Sequence, residues 1–445
     1  MNDAQSGVAP RSPPALAIPG EQQASFIERW YVLLMMCLVY ALSIADRYVV
    51  TTVLDPIRDE LHLSNFGVAV LTGFAFGLFY IILGFPLSWL IDRYNRRKIV
   101  AVCLVLWSVM TAVCGLARTS LQFFLARVGV TVGEAGGTPG ANSLLSDYFP
   151  AARRAMALTV FSLGAPIGAY LGYNVASALA DDYGWRAVFY VLGLAGIPVG
   201  IAVWLTVREP KRGALDCEGN DQTPTVEATL RFMWTQRSAV HVMMGTAVCA
   251  LWGWGLMYWT PVFLQRTYHM SVGQSAALTE NMHLWGGGIA TLVTGWVMAR
   301  TTMVDSRRIV WLLAAGIFIA TIASGVVYYT RDLTLARWML WIFIPAIYFY
   351  IGPGFGLLNN LAPCRMRAMF CAMVLFLANL GNLVITPNVI GALNDWFLRF
   401  NLSQADALRL AMLCIVPTGL WATAHLYLAA HDILKDERRA RTYPN

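Results

Sequence analysis

Four ionisable residues interrupt two stretches of the sequence that are otherwise apolar. Asp46 and Arg47 lie in the first stretch, and Arg127 and Glu134 lie in the second. An ionised side chain inside hydrocarbon costs at least ~3 kcal/mol unless it faces an opposite charge or water. Because two of these residues are acids and two are bases, their formal charges cancel. We therefore expect them to meet in one shared, hydrated cavity.

Each of the four charges suits a particular chemical role. Asp46 and Glu134 are predicted to accept protons, because the proton affinity of a carboxyl group changes with burial and with the distance to a cation. Arg47 and Arg127 are predicted to pair with these acids and with an anionic substrate, since guanidinium forms forked contacts with phosphate or carboxylate. Arg127 and Glu134 lie about 10 Å apart on one helix face, so Glu134 is predicted to line the substrate site as well.

The second half of the chain supplies polar and aromatic candidates for substrate binding. They are Tyr258, Trp259, Glu280 and His283. Glu280 and His283 are three residues apart and share a helix face. Broad aromatic surface beside polar groups suits an amphipathic substrate, whose apolar part is buried while its head group is paired. For any single Trp, anchoring at the membrane interface remains the alternative.

The elements that must position these residues are membrane-spanning helices. The composition is 58% hydrophobic and only 13% charged, and about 20 apolar helical residues cross a bilayer. The predicted fold class is all-α, a polytopic membrane protein with twelve transmembrane helices in two six-helix halves. The predicted spans are residues 30–54, 61–91, 99–117, 121–145, 155–180, 187–207, 238–265, 271–299, 309–330, 338–364, 368–394 and 410–431.

The predicted domains follow from a long polar interruption near the middle of the chain. Short repeats support a duplication: Leu71-Thr72 and Leu278-Thr279 open equivalent spans. Most of the 32 Lys and Arg lie in connections on one side, so the positive-inside rule predicts that both termini are cytoplasmic. The predicted segments are a disordered cytoplasmic N-terminus (1–28), an N-terminal six-helix bundle (29–207), a cytoplasmic linker (208–236), a C-terminal six-helix bundle (237–431) and a cytoplasmic tail (432–445).

Several function classes are disfavoured by the sequence. The eight cysteines are scattered without a metal-ligand spacing, so no metal site or disulfide is predicted. The net charge of +7 comes from basic residues at the ends of spans and does not indicate nucleic-acid binding. No phosphate-binding loop or covalent catalytic motif is present, so an enzyme is not expected. We expect a monomer that lies in a cell membrane, specifically a bacterial inner membrane. We expect it to use no cofactor and to draw its energy from a proton gradient.

The connection after the second span carries a family resemblance. Residues 88–97 read Ser-Trp-Leu-Ile-Asp-Arg-Tyr-Asn-Arg-Arg, which resembles the loop signature G-x-x-x-D-[RK]-x-G-R-[RK] of the major facilitator superfamily. Ser88 and Asn95 replace the two usual glycines. An ordinary basic cytoplasmic loop is the alternative, although it does not explain the acid. The resemblance implies a conformational latch between the two halves, formed by Asp92, Arg93, Arg96 and Arg97.

The fifth span contains small residues at helical spacing. Gly164, Pro166 and Gly168 resemble the glycine-proline segment of antiporters in the same superfamily, which implies a helix-packing hinge. Ordinary tight packing explains the same residues equally well. The direction of any exchange therefore stays open.

Within the superfamily, the sequence most resembles the spinster-like group. The matching segments are SIADRY at residues 43–48, LTGFA at 71–75, GEAG at 133–136 and SDYFP at 146–150. The resemblance implies proton-coupled, alternating-access transport of a lysolipid or sphingoid phosphate. A proton/organic-anion symporter for a small carboxylate is an alternative that uses the same charges. An uncoupled lipid flippase or a non-transporting receptor is an alternative of another class.

Overall fold

The computed structural model describes residues 25–149, 151–210, 226–299, 305–363 and 366–442. Every regular element in these ranges is a helix, which confirms the predicted all-α class. Nine helices in the described part of the chain are long and apolar enough to cross a membrane, judged by length and composition. The longest, Met156–Thr206, contains two of the predicted spans.

The first half contains six long helices. α1 is Phe26–Thr52, and a short helix, Leu54–Glu60, follows it. α2 consists of Asn65–Ala69, a π-helical turn at Val70–Phe74, and Ala75–Arg93. α3 is Arg96–Leu116 and α4 is Ser120–Tyr148. α5 begins as Ala151–Ser162 and continues into Gly164–Thr206, in which Gly184 separates α5 from α6.

The second half repeats this arrangement after a short helix at Val226–Trp234. α7 is Arg237–Tyr268, and α8 consists of Val272–Asn281, a π-helical turn at Met282–Gly287, and Gly288–Ala299. α9 is Ser306–Tyr329, and α10 is Leu333–Phe349 with Ile351–Leu361. α11 is Arg367–Asn379, a π-helical turn at Leu380–Ile385, and Thr386–Leu398. α12 is Gln404–Ile415 with Pro417–Arg441, so it runs through much of the segment predicted as a tail.

The starts of α2 and α8 are fixed by serine side chains. Ser64 and Ser271 cap α2 and α8 by accepting hydrogen bonds from Gly67 N and Gln274 N, which satisfies donors that the helix itself leaves open. The predicted disordered N-terminus lies largely outside the described residues, but α1 begins within it at Phe26. The chain turns from α5 into α6 at Gly184, whose φ of 76° is readily adopted only by glycine.

Carboxylates in α12 and just after α6 bind the starts of other helices at the end of the bundle where α1 begins and α12 ends. Asp436, near the end of α12, accepts hydrogen bonds from Ser238 N at 3.0 Å and Ser238 Oγ at 2.6 Å, at the start of α7. Glu437 accepts from Ser306 Oγ at 2.5 Å at the start of α9. In the first half, Glu209 follows α6 and accepts from Arg97 N at 2.9 Å, at the start of α3. A carboxylate in or just after the last helix of each half thus binds the first turn of another helix.

Close packing of α5 on α1 depends on glycines. A Cβ atom at Gly164 would lie 2.7 Å from Cys37 O, and one at Gly172 would lie 2.6 Å from Ala45 O, so neither position has room for a side chain. Pro166 is buried between them, and the helix axis is interrupted just before, at Leu163. The tight-packing interpretation of this segment therefore has direct geometric support. The hinge motion stays a prediction.

The two halves meet through two equivalent pairs of helices. α5 of the first half packs on α8 of the second, and α2 of the first half packs on α11 of the second. α1 also approaches α7. α2, α8 and α11 each carry a π-helical turn, a feature that is frequent at functional sites. The charged residues of α1 and α4 lie beside this interface.

Candidate functional site

Two ion pairs join α1 to α4. Asp46 and Arg47 are consecutive on α1 and therefore point about 100° apart around its axis. Because of this rotation they cannot share one partner, and each reaches a different residue of α4. Asp46 pairs with Arg127, and Arg47 pairs with Glu134. The four charges thus meet between the same two helices, where they form these two ion pairs.

The Asp46–Arg127 pair is enclosed within the first half. Arg127 NH1 donates to Asp46 Oδ2 at 2.6 Å, and Thr111 of α3 donates to Asp46 Oδ1 at 2.6 Å. The side chains of Arg127 and Asp46 are only 1% and 2% exposed. Both carboxylate oxygens thus have donors, and water has almost no access. The ion pair and the Thr111 hydrogen bond together hold α1, α3 and α4 in contact.

The Arg47–Glu134 pair has a different environment. Arg47 donates to Glu134 Oε2 through Nε at 3.0 Å and NH2 at 2.9 Å, and Ser43 Oγ donates to the same oxygen at 2.9 Å. Glu134 Oε1 is buried and accepts no hydrogen bond from the described residues. The Arg47 side chain is 24% exposed, and its guanidinium lies 5.3 Å from the ring centroid of Tyr80 on α2. Glu134 therefore has one carboxylate oxygen without a hydrogen-bond donor in the described part of the chain, and its partner Arg47 is partly exposed at the surface of the first half.

A narrow cleft, too tight to hold a water molecule, lies beside this second pair. Ser43, Tyr40, Trp107 and Phe161 are among the residues that line it. Pockets that hold drug-sized ligands measure roughly 300–1,000 Å³. Because its lining residues all belong to the first half, a ligand could enter this cleft only if those helices separated.

His283 lies at the centre of an aromatic cluster that joins the two halves. Its Nδ1 is 2.8 Å from Tyr348 Oη of α10, and its ring centroid is 4.9 Å from that of Tyr48 on α1 and 5.2 Å from that of Tyr173 on α5. Trp254 of α7 completes the cluster, with its ring 5.3 Å from Tyr348. His283 is 0% exposed, and its Nε2 has no hydrogen-bond partner among the described residues. Any separation of the halves at this level would expose it.

The other predicted binding residues of the second half are more dispersed. Tyr258 Oη makes a very short contact with Thr72 Oγ1 of α2, so this side chain does bridge the halves. Trp259 is 0% exposed and donates to Pro387 O at 3.0 Å, which makes it a core residue of the second half in this conformation. Glu280 is half-buried against α5, where Ser177 Oγ lies 3.4 Å from its carboxylate. It does not contact the charges of α1 and α4.

The predicted latch residues hold parts of the first half together. Arg96 is 2% exposed; it donates to Glu209 at 2.8 Å and to Pro210 O at 3.0 Å, and it forms a very short contact with Asp147 of α4. Arg97 donates to Val207 O at 3.0 Å. These contacts lie within one half, so the structure shows them bracing α3, α4 and α6. The side chain of Asp92 lies outside the described residues, and Arg93 is exposed. A latch between the halves stays a prediction.

Several residues of the site carry no sequence motif. Thr111 is a hydroxyl in an apolar span, and only its pairing with Asp46 reveals its role. Tyr348 and Tyr173 are tyrosines among many, and nothing in the sequence connects them with His283. Ser43 and Tyr48 flank Asp46-Arg47, so their proximity to the charges was the available signal.

Comparison with known proteins gives consistent matches over most of the chain. A family model described as Major Facilitator Superfamily matches residues 36–386. A solved structure described as a bacterial homolog to the human lysosomal transporter spinster, inward-facing and unoccupied, superposes with a TM-score of 0.81 at 29% identity, covering 93% of this chain and 99% of that chain. These matches confirm the resemblance drawn from the residues.

Two curated relatives extend the comparison. An MFS-type efflux pump of Mycolicibacterium smegmatis is 28% identical over 418 residues, which cover 92% of this chain and 95% of the relative. The probable galactarate/D-glucarate transporter GudP of Bacillus subtilis is 24% identical over 397 residues, which cover 82% of this chain and 85% of the relative. The name of the first relative gives no substrate, and that of the second gives two sugar acids.

Proposed function

The chain belongs to the major facilitator superfamily, and we propose that it is a proton-coupled secondary transporter that moves an amphipathic anion by alternating access. Members of this superfamily are transporters rather than enzymes, and rocking of two halves around a central site is the general account of how they work. A lysolipid or a sphingoid phosphate is the proposed substrate class. The proposal includes a location in a bacterial cell membrane, both termini in the cytoplasm, and a monomeric protein.

The Arg47–Glu134 pair carries the proposal. A proton on Glu134 Oε1, the oxygen without a donor, would neutralise the carboxylate and leave Arg47 without its counter-charge. An anionic head group would then bind the guanidinium, which offers forked N–H donors. The reverse also holds, because an anion on Arg47 would displace the carboxylate and favour its protonation. Proton and anion would thus bind together, and their charges would cancel inside the membrane.

Asp46 and Arg127 have a different part in this proposal. Both oxygens of Asp46 are engaged by donors at 2.6 Å, and the pair is almost completely enclosed. Of the two predicted proton acceptors, Glu134 is therefore the better placed. Asp46 and Arg127 would fix the rotation of α1, so that Arg47 points toward the interface between the halves.

The choice of an amphipathic substrate is supported by the surface around Arg47. Tyr80 lies under its guanidinium, and Tyr48 leads into the aromatic cluster around His283. Aromatic side chains bury apolar area while their polar tips bind a head group. The resemblance of the sequence to the spinster-like group implies the same class. Glu280, His283 and Tyr258 would line the path once the halves part.

Purified protein in liposomes tests the proposal. A thermal-shift screen against lysophosphatidate, sphingosine-1-phosphate and galactarate identifies the best ligand, and its flux is then measured with and without a pH gradient. Uptake of a phosphate-bearing amphiphile that depends on the gradient would support the proposal. Flux of the same lipid that is unaffected when the gradient is collapsed would refute proton coupling and indicate an uncoupled flippase. Binding without any flux would indicate a receptor.

A second candidate is a proton/organic-anion symporter for a small carboxylate. The similarity to a probable galactarate/D-glucarate transporter favours it. Competition separates the two candidates. If the amphiphile is the substrate, excess galactarate should leave uptake of a lysolipid unchanged. If a small carboxylate is the substrate, galactarate should itself accumulate.

A further inference from the structure

Two aspartates form matching contacts between the halves at the distal end of the bundle, the end opposite the start of α1 and the end of α12. Asp181, near the end of α5, accepts hydrogen bonds from Ser271 Oγ and from Gly273 N at 3.1 Å, at the start of α8. Asp395, near the end of α11, accepts from Phe66 N at 2.9 Å and Asn65 N at 3.2 Å, at the start of α2. In each case a carboxylate of one half binds the first turn of a helix in the other half. We refer to each contact as a distal clasp.

The two clasps are related by the duplication of the chain. Ser64 caps α2 and Ser271 caps α8, and these two serines are separated in sequence by the same number of residues as Leu71 and Leu278. Asp181 and Asp395 occupy equivalent turns of α5 and α11. The first clasp runs from the first half to the second, and the other clasp runs from the second half to the first. Neither half can therefore tilt away at this end without breaking both.

Close backbone contact surrounds each clasp. A Cβ atom at Gly273 would lie 2.5 Å from Asp181 Oδ2 and 2.9 Å from Ser177 O. A Cβ atom at Gly391, one turn before Asp395, would lie 3.0 Å from Asn65 O. Glycine at these two positions lets the helices approach far enough for the carboxylates to reach the amides. The packing and the hydrogen bonds thus depend on the same closed geometry.

From this geometry we infer that Asp181 and Asp395 are a duplicated clasp that sets the balance between distal-closed and distal-open conformations. In the distal-closed conformation, each carboxylate accepts hydrogen bonds from N–H groups at the positive end of a helix dipole. In the distal-open conformation, both carboxylates have lost these hydrogen-bond donors through the same movement. The inference rests on the alternating movement proposed above, but it concerns only the conformational equilibrium. It requires neither a proton nor a particular substrate.

Distance measurement between spin labels tests the inference. Labels are attached at Arg118→Cys and Arg337→Cys, which are exposed residues of the first and second half at the distal end. The parent carries Cys414→Ser, because Cys414 is the exposed cysteine among the described residues. Spectra are recorded without ligand and at equal pH on both sides, so that failure of the transport proposal does not affect the result.

The double variant Asp181→Ala/Asp395→Ala should increase the ratio of long-distance to short-distance populations by about fivefold to thirtyfold for each clasp lost. Each single variant should give part of this shift. The matched control Asp182→Ala removes an exposed carboxylate next to the clasp and should leave the distances unchanged. Distance distributions of the double variant that coincide with those of the parent would overturn the inference.

Glycine variants provide a second route if the double variant does not fold. Gly273→Ala and Gly391→Ala leave both carboxylates in place but prevent the close approach from the other side. Each should shift the distances in the same direction as loss of its clasp. Unchanged distances in both glycine variants would contradict the inference as directly as an unchanged double variant.

Discussion

Replacing Glu134 with Gln gives a direct test of the proposed coupling. Glu134→Gln keeps the size of the side chain and removes the charge that faces Arg47. If Glu134 is the proton carrier, the variant cannot use a proton gradient, but it can still exchange bound anion. Asp46→Asn is the matched control, because it makes the same chemical change in the enclosed pair.

The two variants should differ in stability in an order that the structure predicts. At the 2.9 Å separation of Arg47 NH2 and Glu134 Oε2 and an effective dielectric of about 20, the Coulomb attraction is about 6 kcal/mol before the cost of dehydrating both ions. Removing one partner of a fully buried pair costs about 3–5 kcal/mol, which we expect for Asp46→Asn. Because 24% of the Arg47 side chain is exposed to water, about 2–3 kcal/mol is expected for Glu134→Gln. Melting temperatures in detergent should follow this order.

Transport gives the decisive measurement. With one proton per substrate, a gradient of one pH unit supports about tenfold accumulation of a monoanion, since a tenfold ratio corresponds to about 1.4 kcal/mol. In liposomes with the membrane potential held at zero, the native protein should approach this ratio, and Glu134→Gln should stay near one while its exchange persists. Tenfold accumulation by Glu134→Gln would refute the assignment of the proton to this carboxylate.

Three further outcomes are expected. Arg47→Lys keeps the charge but loses the forked geometry, so affinity for the anionic ligand should fall about tenfold in a thermal-shift titration, and unchanged affinity would argue against direct binding. Gly172→Ala should destabilise the protein by about 1–3 kcal/mol, because the added Cβ would lie 2.6 Å from Ala45 O. The control Gly288→Ala should not change stability, because a Cβ there would meet nothing within 4 Å. Equal melting temperatures of the two variants would contradict the packing argument. The Arg186 guanidinium, together with the Trp185 indole, lowers the pKa of Glu60. A carboxylate whose pKa is lowered in the folded state stabilises the fold at pH values above its unfolded pKa. The difference in melting temperature between native protein and Glu60→Gln should therefore be present at pH 7 and shrink below about pH 4. A difference that grows in acid would contradict this assignment.

The sequence was sufficient for the helical class and for the expectation that the four charges of α1 and α4 meet. Hydropathy identifies spans because helices in lipid must be apolar over a fixed length. Charges within those spans are conspicuous because they are costly. Which acid pairs with which base could not be predicted from the sequence, because the pairing depends on the rotation of α1 about its axis relative to α4. A rotation of 100° would have brought Asp46 rather than Arg47 toward the interface.

The inter-half contacts were less predictable. His283 was identified as a candidate, but its contacts with Tyr48, Tyr173 and Tyr348 join residues that are distant in sequence. Trp259 shows the opposite case, in which an aromatic residue near the candidates is part of the core. The duplication was visible in short repeats, but the repeats gave no reason to examine Asp181 and Asp395. Their role depends on helix starts that only three-dimensional packing brings together.

The end of α12 has a practical consequence for anyone who shortens or tags this protein. Hydropathy alone would place a safe cut just after the last apolar stretch, near residue 431. Such a cut would delete Asp436 and Glu437, and with them the acceptors at the starts of α7 and α9. Purification handles are therefore better fused after residue 442, and a shortened version that expresses poorly would point to these lost caps rather than to an unstable membrane core.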